Sequence, residues 1–377
     1  MQGVAANVVD VPRIWFNRAY ATTCHVIRLL RENPQGRPVH VLATSSDPDS
    51  PVLAVADEAA GEPRAEADDY VAWALDLAAR RHVDVLVPRY RMAELAAARD
   101  RFARIGTVLA CPEPETIRLF ADKVAAYAAA ARLGVAVPPY RVVQDPDGLR
   151  TAYAELAPLS PWVCVKPVRG SGGAGYRRLT ATPFEFADFA GAPRAKTDLD
   201  AYCRALGAER EAGRTVPDLL VMPFLHGPEV SVDAVATPQG TVLAAIGRRH
   251  GGGGRRRVIV DDVAARRVAE ALVGEHAVGY LSNTQVRYWR GPGDEVPRPY
   301  LLELNTRAAG GLFQTRLAGV NLPWAAIRIA LGEQVPPLQP RYGAVYAGVD
   351  DIVELPHGGD LGPDGTAGPA TAADPAV

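Results

Sequence analysis

The chain has 377 residues, 48% hydrophobic and 22% charged, with a formal net charge of −2 at pH 7; it is too long for one ordinary core, so two or three packed units are expected. The near-neutral balance excludes an overall basic field for nucleic acid or anionic membrane, and no apolar run reaches the ~20 residues that cross a bilayer. Cys24, Cys111, Cys164 and Cys203 stand far apart with no CxxC, which argues against a zinc site or a disulfide framework, and the first ten residues lack the pattern of a secretory signal, so a cytoplasmic location is the expectation.

In chain order, Arg13–Asn17, Val39–Thr44, Val83–Pro88 and Thr107–Cys111 read as short strands, with helices at Thr22–Glu32, Asp69–Arg81 and Met92–Arg104 between them. That alternation predicts a doubly wound parallel α/β unit over residues 1–112. Pro112 and Pro114 then punctuate the chain. The pattern continues with a helix at Pro114–Leu133, a strand at Tyr140–Gln144, a helix at Asp147–Ala157 and an apolar strand at Trp162–Val168. A helix at Thr197–Gly213 precedes the strand Asp218–Phe224 and a hairpin of Val230–Ala236 and Val242–Ile246. A helix at Ala264–Val273, strands at Leu281–Trp289 and Tyr300–Asn305, and a helix at Leu322–Leu331 complete the second unit, 113–355. Residues 356–377, rich in Gly, Pro, Ala and Asp, read as a disordered tail.

Three segments carry chemistry. In Tyr300–Arg307 alternate side chains of a strand share a face, so Glu303, Asn305 and Arg307 point one way and Leu302 and Leu304 the other. Polar groups in such a row are costly to bury without a charged partner, and a magnesium–polyphosphate complex is one such partner. In Val163–Tyr176 Lys166 leaves a buried strand just before a glycine loop, whose amides can approach phosphates closely. Gly170, Gly172 and Gly175 match GxGxxG, but the following Tyr176–Thr180 reads as a returning strand, where a dinucleotide site requires a helix. In Leu220–Asp233 a buried strand enters a Gly-Pro turn; the backbone of Met222–Leu225 is placed to act as a hinge for adenine, with Glu229 near the ribose.

Gly247–Arg257, five arginines around four glycines, reads as a mobile basic loop in which Arg248 and Arg255–Arg257 face an anionic substrate. Arg18 and Arg89, each following a strand of the first unit, are further candidates for a substrate carboxylate.

Taken together these segments resemble the ATP-grasp superfamily, nearest in pattern to the large-subunit domains of carbamoyl-phosphate synthase and related carboxylate–amine ligases. The resemblance is carried in order by Asp122-Lys123, Val165-Lys166-Pro167 with its loop, Gly227-Pro228-Glu229-x-Ser231-Val232-Asp233, Asn283-x-Gln285, and Glu303-x-Asn305-x-Arg307 followed by Gly310-Gly311. It implies an N-terminal pre-ATP-grasp domain and a two-lobed ATP-grasp fold. The nucleotide-covering lobe would span about 138–222 and the metal-binding lobe about 223–355.

It also implies roles. Lys123 and Lys166 would bind phosphates under Gly170, Ser171, Gly172 and Gly173. Met222, Phe224, Leu225 and Glu229 would hold the nucleoside, and Gln285, Glu303 and Asn305 would hold magnesium. Arg307 with Lys166 would stabilise the transferring phosphoryl group. Met222 stands where relatives often have an acidic residue, and Gln285 where many have Asp or Glu. The implied cofactors are ATP and Mg²⁺, one ion or two, with Mn²⁺ as a substitute.

The expected activity is ADP-forming ligation, in which a carboxylate activated as an acyl-phosphate is attacked by an amine. An amino acid or peptide is the substrate guessed from the family, and a homodimer is among the open oligomeric options. A non-catalytic ATP-binding module on the same fold is the alternative; an NAD-dependent oxidoreductase, resting on GxGxxG alone, is the remote one.

Overall fold

Arg13–Asn17 (β1) forms the centre of the first sheet because its alternate residues suit opposite faces: Trp15 packs with Leu42, Tyr70 and Leu86, and Ile14 and Phe16 pack on the other side. The structure is a computed structural model describing residues 11–170, 173–182, 184–186, 196–252, 255–349 and 352–355. The expected tail and the loop residues Ser171 and Gly172 lie outside the described residues.

In chain order the first unit contains β1, α1 (Thr23–Arg31), β2 (His40–Ser45), α2 (Pro51–Val55), β3 (Glu58–Gly61), α3 (Ala67–Arg80), β4 (Val85–Val87), α4 (Met92–Ala97), α5 (Arg99–Arg104) and β5 (Val108–Leu109). Its five strands run in the order β3-β2-β1-β4-β5, with every pairing parallel. This is the α/β unit expected from the alternation of strands and helices. The helix expected over Met92–Arg104 is interrupted at Ala98, where the backbone leaves helical geometry.

The helix expected over Pro114–Leu133 is also two: α6 (Pro114–Ala121) and α7 (Lys123–Arg132). Asp122 separates them. Its backbone is extended, and its carboxylate accepts the amides of Val124 and Ala125, each at 3.0 Å, as the N-cap of α7. Asp is among the strongest N-cap residues, and local capping here overrides the uniform helical propensity of the alanine-rich run.

A second five-stranded sheet follows, in the order β6-β10-β7-β8-β9, from β6 (Arg141–Val143), β7 (Val163–Pro167), β8 (Arg177–Thr180), β9 (Lys196–Asp198) and β10 (Leu219–Pro223). The helices α8 (Pro146–Leu156) and α9 (Leu199–Glu211) pack on it through Leu149, Leu156, Cys203 and Leu206.

The third sheet has six strands, ordered β15-β14-β11-β12-β13-β16: β11 (Glu229–Ala236), β12 (Val242–His250), β13 (Arg256–Val260), β14 (Tyr280–Trp289), β15 (Arg298–Asn305) and β16 (Val345–Ala347). Neighbours are antiparallel throughout. The helices α10 (Val263–Glu275) and α11 (Leu322–Ala330) cover it. One apolar core runs from Ile14 and Phe16 through α1 and α11 to Ile246 and Ile259, joining the first sheet to the third.

The basic segment departs from expectation. Gly247–His250 belongs to β12 and Arg256–Arg257 to β13, leaving only a short connection, of which residues 253 and 254 lie outside the described residues. Strand pairing of Gly247 with Val260 and Arg249 with Val258 accounts for the difference.

Candidate active site

Lys123, at the first position of α7, is buried; its Nζ donates to the carbonyls of Gly170 at 2.9 Å and Val168 at 3.3 Å. The break at Asp122 sets this position, and Asp122 also bridges to Arg169 beside the loop. Lys166 extends from the end of β7 into the same cavity, a space of about 460 Å³. Burial lowers the proton affinity of both lysines, and the negative charge of Glu303 only partly opposes it. Lys166 is drawn down to about 8, helped by the charge of Lys123. Two ammonium groups facing one cavity favour an anionic occupant.

Gly170, Gly173 and Ala174 of the glycine loop line the cavity. The loop joins β7 to the antiparallel β8, and no helix begins among its described residues, so the dinucleotide reading fails. Gly170, Gly173 and Gly175 have positive φ, and a Cβ at Gly175 would meet Pro167 Cδ at 2.8 Å. Glycine therefore lets the hairpin fold tightly over the end of β7.

Opposite stands the polar face of β14 and β15. Gln285 pairs directly with Glu303, and Asn283 with Asn305. The Asn305 amide nitrogen donates to Glu303 at 2.9 Å, and that of Gln285 donates to Asn283 Oδ1 at 3.2 Å. Both amide oxygens are thereby left beside one carboxylate. Such an all-oxygen donor set suits a hard cation such as Mg²⁺, which keeps several water and phosphate ligands. With a single carboxylate among them, no cluster of three or more His, Cys, Asp or Glu metal donors occurs among the described residues.

The strand itself corrects the simple alternation. Gln285 faces Glu303 but Val286 faces Leu301, so Leu302 is an unpaired bulge residue. Leu301 and Leu304 are buried, whereas Leu302 lines the cavity. Tyr127 O–H donates to the Leu302 carbonyl at 3.1 Å, tying the bulge to α7. A bulge of this kind re-aims the strand next to a site.

The nucleoside end is lined by Cys164, Tyr176, Met222, Phe224, Leu225 and Leu302. The hinge is narrower than expected. The Phe224 amide already donates to Trp162 O at 2.8 Å, its carbonyl accepts from Ser160 Oγ at 2.7 Å, and the Leu225 carbonyl accepts from Arg287 at 3.3 Å. Glu229 lies at this cavity in an ion pair with Arg287. Sequence reasoning passed over Arg178 and Arg287, which line the cavity with guanidinium carbons 5.4 and 5.1 Å from the Phe224 ring. Their signal was alternation: Arg178, on β8, follows Tyr176 just before that strand by two, and Arg287 follows Gln285 by two on β14.

Asn305 and Arg307 line an adjoining cavity that shares Lys123, Gly170 and Glu303 with the first. The remaining substrate candidates separate. Arg89 donates to the carbonyl of Ala308, next to Arg307, at 2.9 Å. Arg18 is held by Glu62 at 2.9 Å and lies 3.5 Å over Tyr90. Arg248, far from being a loop residue, is buried in a 2.5 Å ion pair with Asp233 and donates to Gln314 at 3.1 Å. Arg255 and Arg257 line a separate open cleft beside α1 and Gly310–Gly311.

Residues 215–351 match a family model described as ATP-grasp in the biosynthetic pathway with Ter operon. No curated protein matches the sequence. Among solved structures, the chain is similar to the biotin carboxylase domain of Hydrogenobacter thermophilus 2-oxoglutarate carboxylase, in complex with MgADP, ADP and bicarbonate. That likeness has TM-score 0.60 and 18% identity, covering 88% of this chain and 73% of that one. It is also similar to an ADP complex of N5-carboxyaminoimidazole ribonucleotide synthetase, with TM-score 0.60 and 16% identity, covering 88% and 81%. A third is the N5-carboxyaminoimidazole synthetase of Staphylococcus aureus, with TM-score 0.58 and 14% identity, covering 86% and 78%. The motifs, the family model and the three-sheet architecture converge: the chain has an ATP-grasp fold preceded by a parallel α/β unit.

Proposed function

We propose that the protein is an ADP-forming ligase that activates a carboxylate as an acyl-phosphate and passes it to an amine. The observation that carries this reading is the convergence of Lys123, Lys166, Glu303 and Gln285 on one cavity under a glycine hairpin. The family description and the nucleotide-bound relatives support it.

ATP would lie with its base against Met222, Phe224 and Leu225, its ribose toward Glu229, and its phosphates between the two lysines and the hairpin. Gln285, Glu303 and Asn305 would hold Mg²⁺, which when bound supplies charge neutralisation on the phosphates. A carboxylate oxygen of the substrate then attacks the γ-phosphorus, the bond to the β–γ bridging oxygen breaks, and ADP leaves. The amine next attacks the acyl carbon; phosphate departs with the bonding electrons and the amine's proton passes to solvent. Lys166 and Arg307 offset the charge on the moving phosphoryl group. No nucleophilic side chain is needed, because phosphoryl transfer depends mainly on positioning and charge.

The test is product analysis. Incubation of the purified protein with MgATP and a pool of carboxylates and amines should give ADP and phosphate. AMP and pyrophosphate would refute the acyl-phosphate route; MgATP binding without turnover on any pool would favour the non-catalytic module. Calorimetry showing no MgATP binding would remove both.

A further inference from the structure

We propose that Arg89 of the first unit and Arg307, two residues beyond the end of β15, jointly grip the substrate carboxylate, with its body in a small apolar cavity behind them. This rests on the ligase reading above and adds a substrate class to it: compact monocarboxylic acids.

Arg89 is held from two sides. Its amide donates to Asn17 Oδ1 at 2.7 Å, and the Asn17 side chain is itself buried and donates to Tyr70 O–H at 2.7 Å and the Tyr90 carbonyl at 3.0 Å. Its Nη1 donates across to the carbonyl of Ala308, at 2.9 Å, immediately after Arg307. Its Nη2 is buried without an acceptor. A buried N–H in that state bears an uncompensated desolvation cost, which a ligand oxygen would recover.

Arg307 lies beside Arg89, half-buried. Its hydrogen bond is a long one, 3.3 Å, to the neighbouring Ala308 carbonyl. The two guanidinium carbons lie 4.1 Å (Arg89) and 5.8 Å (Arg307) from the Tyr20 ring centroid. Neither arginine forms an ion pair with a carboxylate among the described residues. Burial, reinforced by the like charge of Arg307, draws Arg89 down to about 10. Two adjacent cations with no internal counter-ion form a site for an anion, and the planar arginine fork matches a carboxylate.

The surroundings specify the rest of the ligand. Behind the arginines lies a cavity of about 40 Å³ lined by Phe16, Val26, Leu30, Met92, Ala326 and Ile327. A single water needs about 10–15 Å³ on this scale, so the space suits a body of two or three carbon atoms. Toward the nucleotide, Arg307 and Met92 also line the cavity that contains Lys123, Gly170 and Glu303. A carboxylate on the arginines therefore sits at the phosphate end of the cleft. Inorganic phosphate shares the anionic chemistry, but only a carboxylate carries a hydrocarbon body into the apolar space.

The test uses propionate and L-alanine as probes, which share one carbon skeleton without and with an ammonium group. Binding is followed by calorimetry on the full chain with and without MgATP, beside acetate, phenylacetate and inorganic phosphate. At least one of the two probes should bind, and phenylacetate should not. Arg89→Met should weaken the bound probe at least 30-fold while leaving the MgATP Kd within twofold. Ala326→Leu, which fills the cavity, should shift preference toward acetate at least tenfold and serves as the check should Arg89→Met fail to fold. The proposal is overturned if neither probe binds, if phenylacetate binds equally well, if Arg89→Met leaves probe affinity unchanged, if phosphate binding alone responds to that substitution, or if Ala326→Leu leaves the acetate preference unaltered. MgATP binding with no probe binding would sink this proposal alone, whereas absent MgATP binding would sink the ligase reading.

Discussion

Two glycine-and-cation segments, Val165–Tyr176 and Gly247–Arg257, look alike as strings yet fold to different ends. In the first, the cation precedes the glycines at the end of a strand, and the hairpin that follows folds back over it. In the second, paired strands absorb most of the residues, and Arg248 is drawn inward to Asp233. Glycine content alone therefore does not mark a phosphate flap. What distinguishes the two is whether strand pairing leaves the cation facing a cavity or a buried carboxylate.

The sharpest way to break this contrast is Arg248→Met. If Arg248 is a buried structural cation, its loss strands Asp233 and should destabilise the fold by about 3–5 kcal/mol in denaturant unfolding. A substrate-facing arginine would instead change KM and leave stability alone.

Lys166→Met should act oppositely. MgATP affinity should fall about 100-fold, roughly 2.7 kcal/mol, by calorimetry. The sign of the stability effect follows from the lowered proton affinity. Lys166 is charged in the unfolded chain up to its ordinary value of 10.5 but only to about 8 when folded. The folded state thus gains stability as pH rises from about 8 toward 10.5 and loses it as pH falls through 8. Removing the lysine should stabilise the protein by roughly 1–3 kcal/mol at pH 7, an advantage that shrinks above pH 8. Denaturant midpoints at pH 7 and pH 10 check this.

Asp122→Ala should remove the α7 cap at a cost of about 1 kcal/mol and weaken MgATP binding several-fold, because Lys123 loses its fixed position. Smallest of all, Arg256→Ala, at the exposed first residue of β13, should move stability by no more than about 0.5 kcal/mol.

The periodic apolar runs made the parallel sheet and the main strands of the third sheet legible, and the ordered motifs led to Lys123, Lys166, Gln285 and Glu303. Elements that broke the expectation lacked a periodic signal. Val345–Ala347 and Lys196–Asp198 are three residues long, and arginines opened the strand Arg256–Val260. The bulge at Leu302 was invisible because register is a property of the partner strand. Arg287 was missed for a similar reason: it acquires meaning only opposite Glu229. Arg89 was nominated from its position after a strand, but its pairing with Arg307 spans more than 200 residues and no local pattern encodes it.

The apolar continuity between Phe16 and Ile246 has a practical corollary. A shortened chain starting near Pro114 would bare the flank of α11, where Trp324 and Ile327 are now sheltered. Such a fragment should precipitate or self-associate. Splitting this protein into separately produced pieces would therefore require new polar cover on that helix.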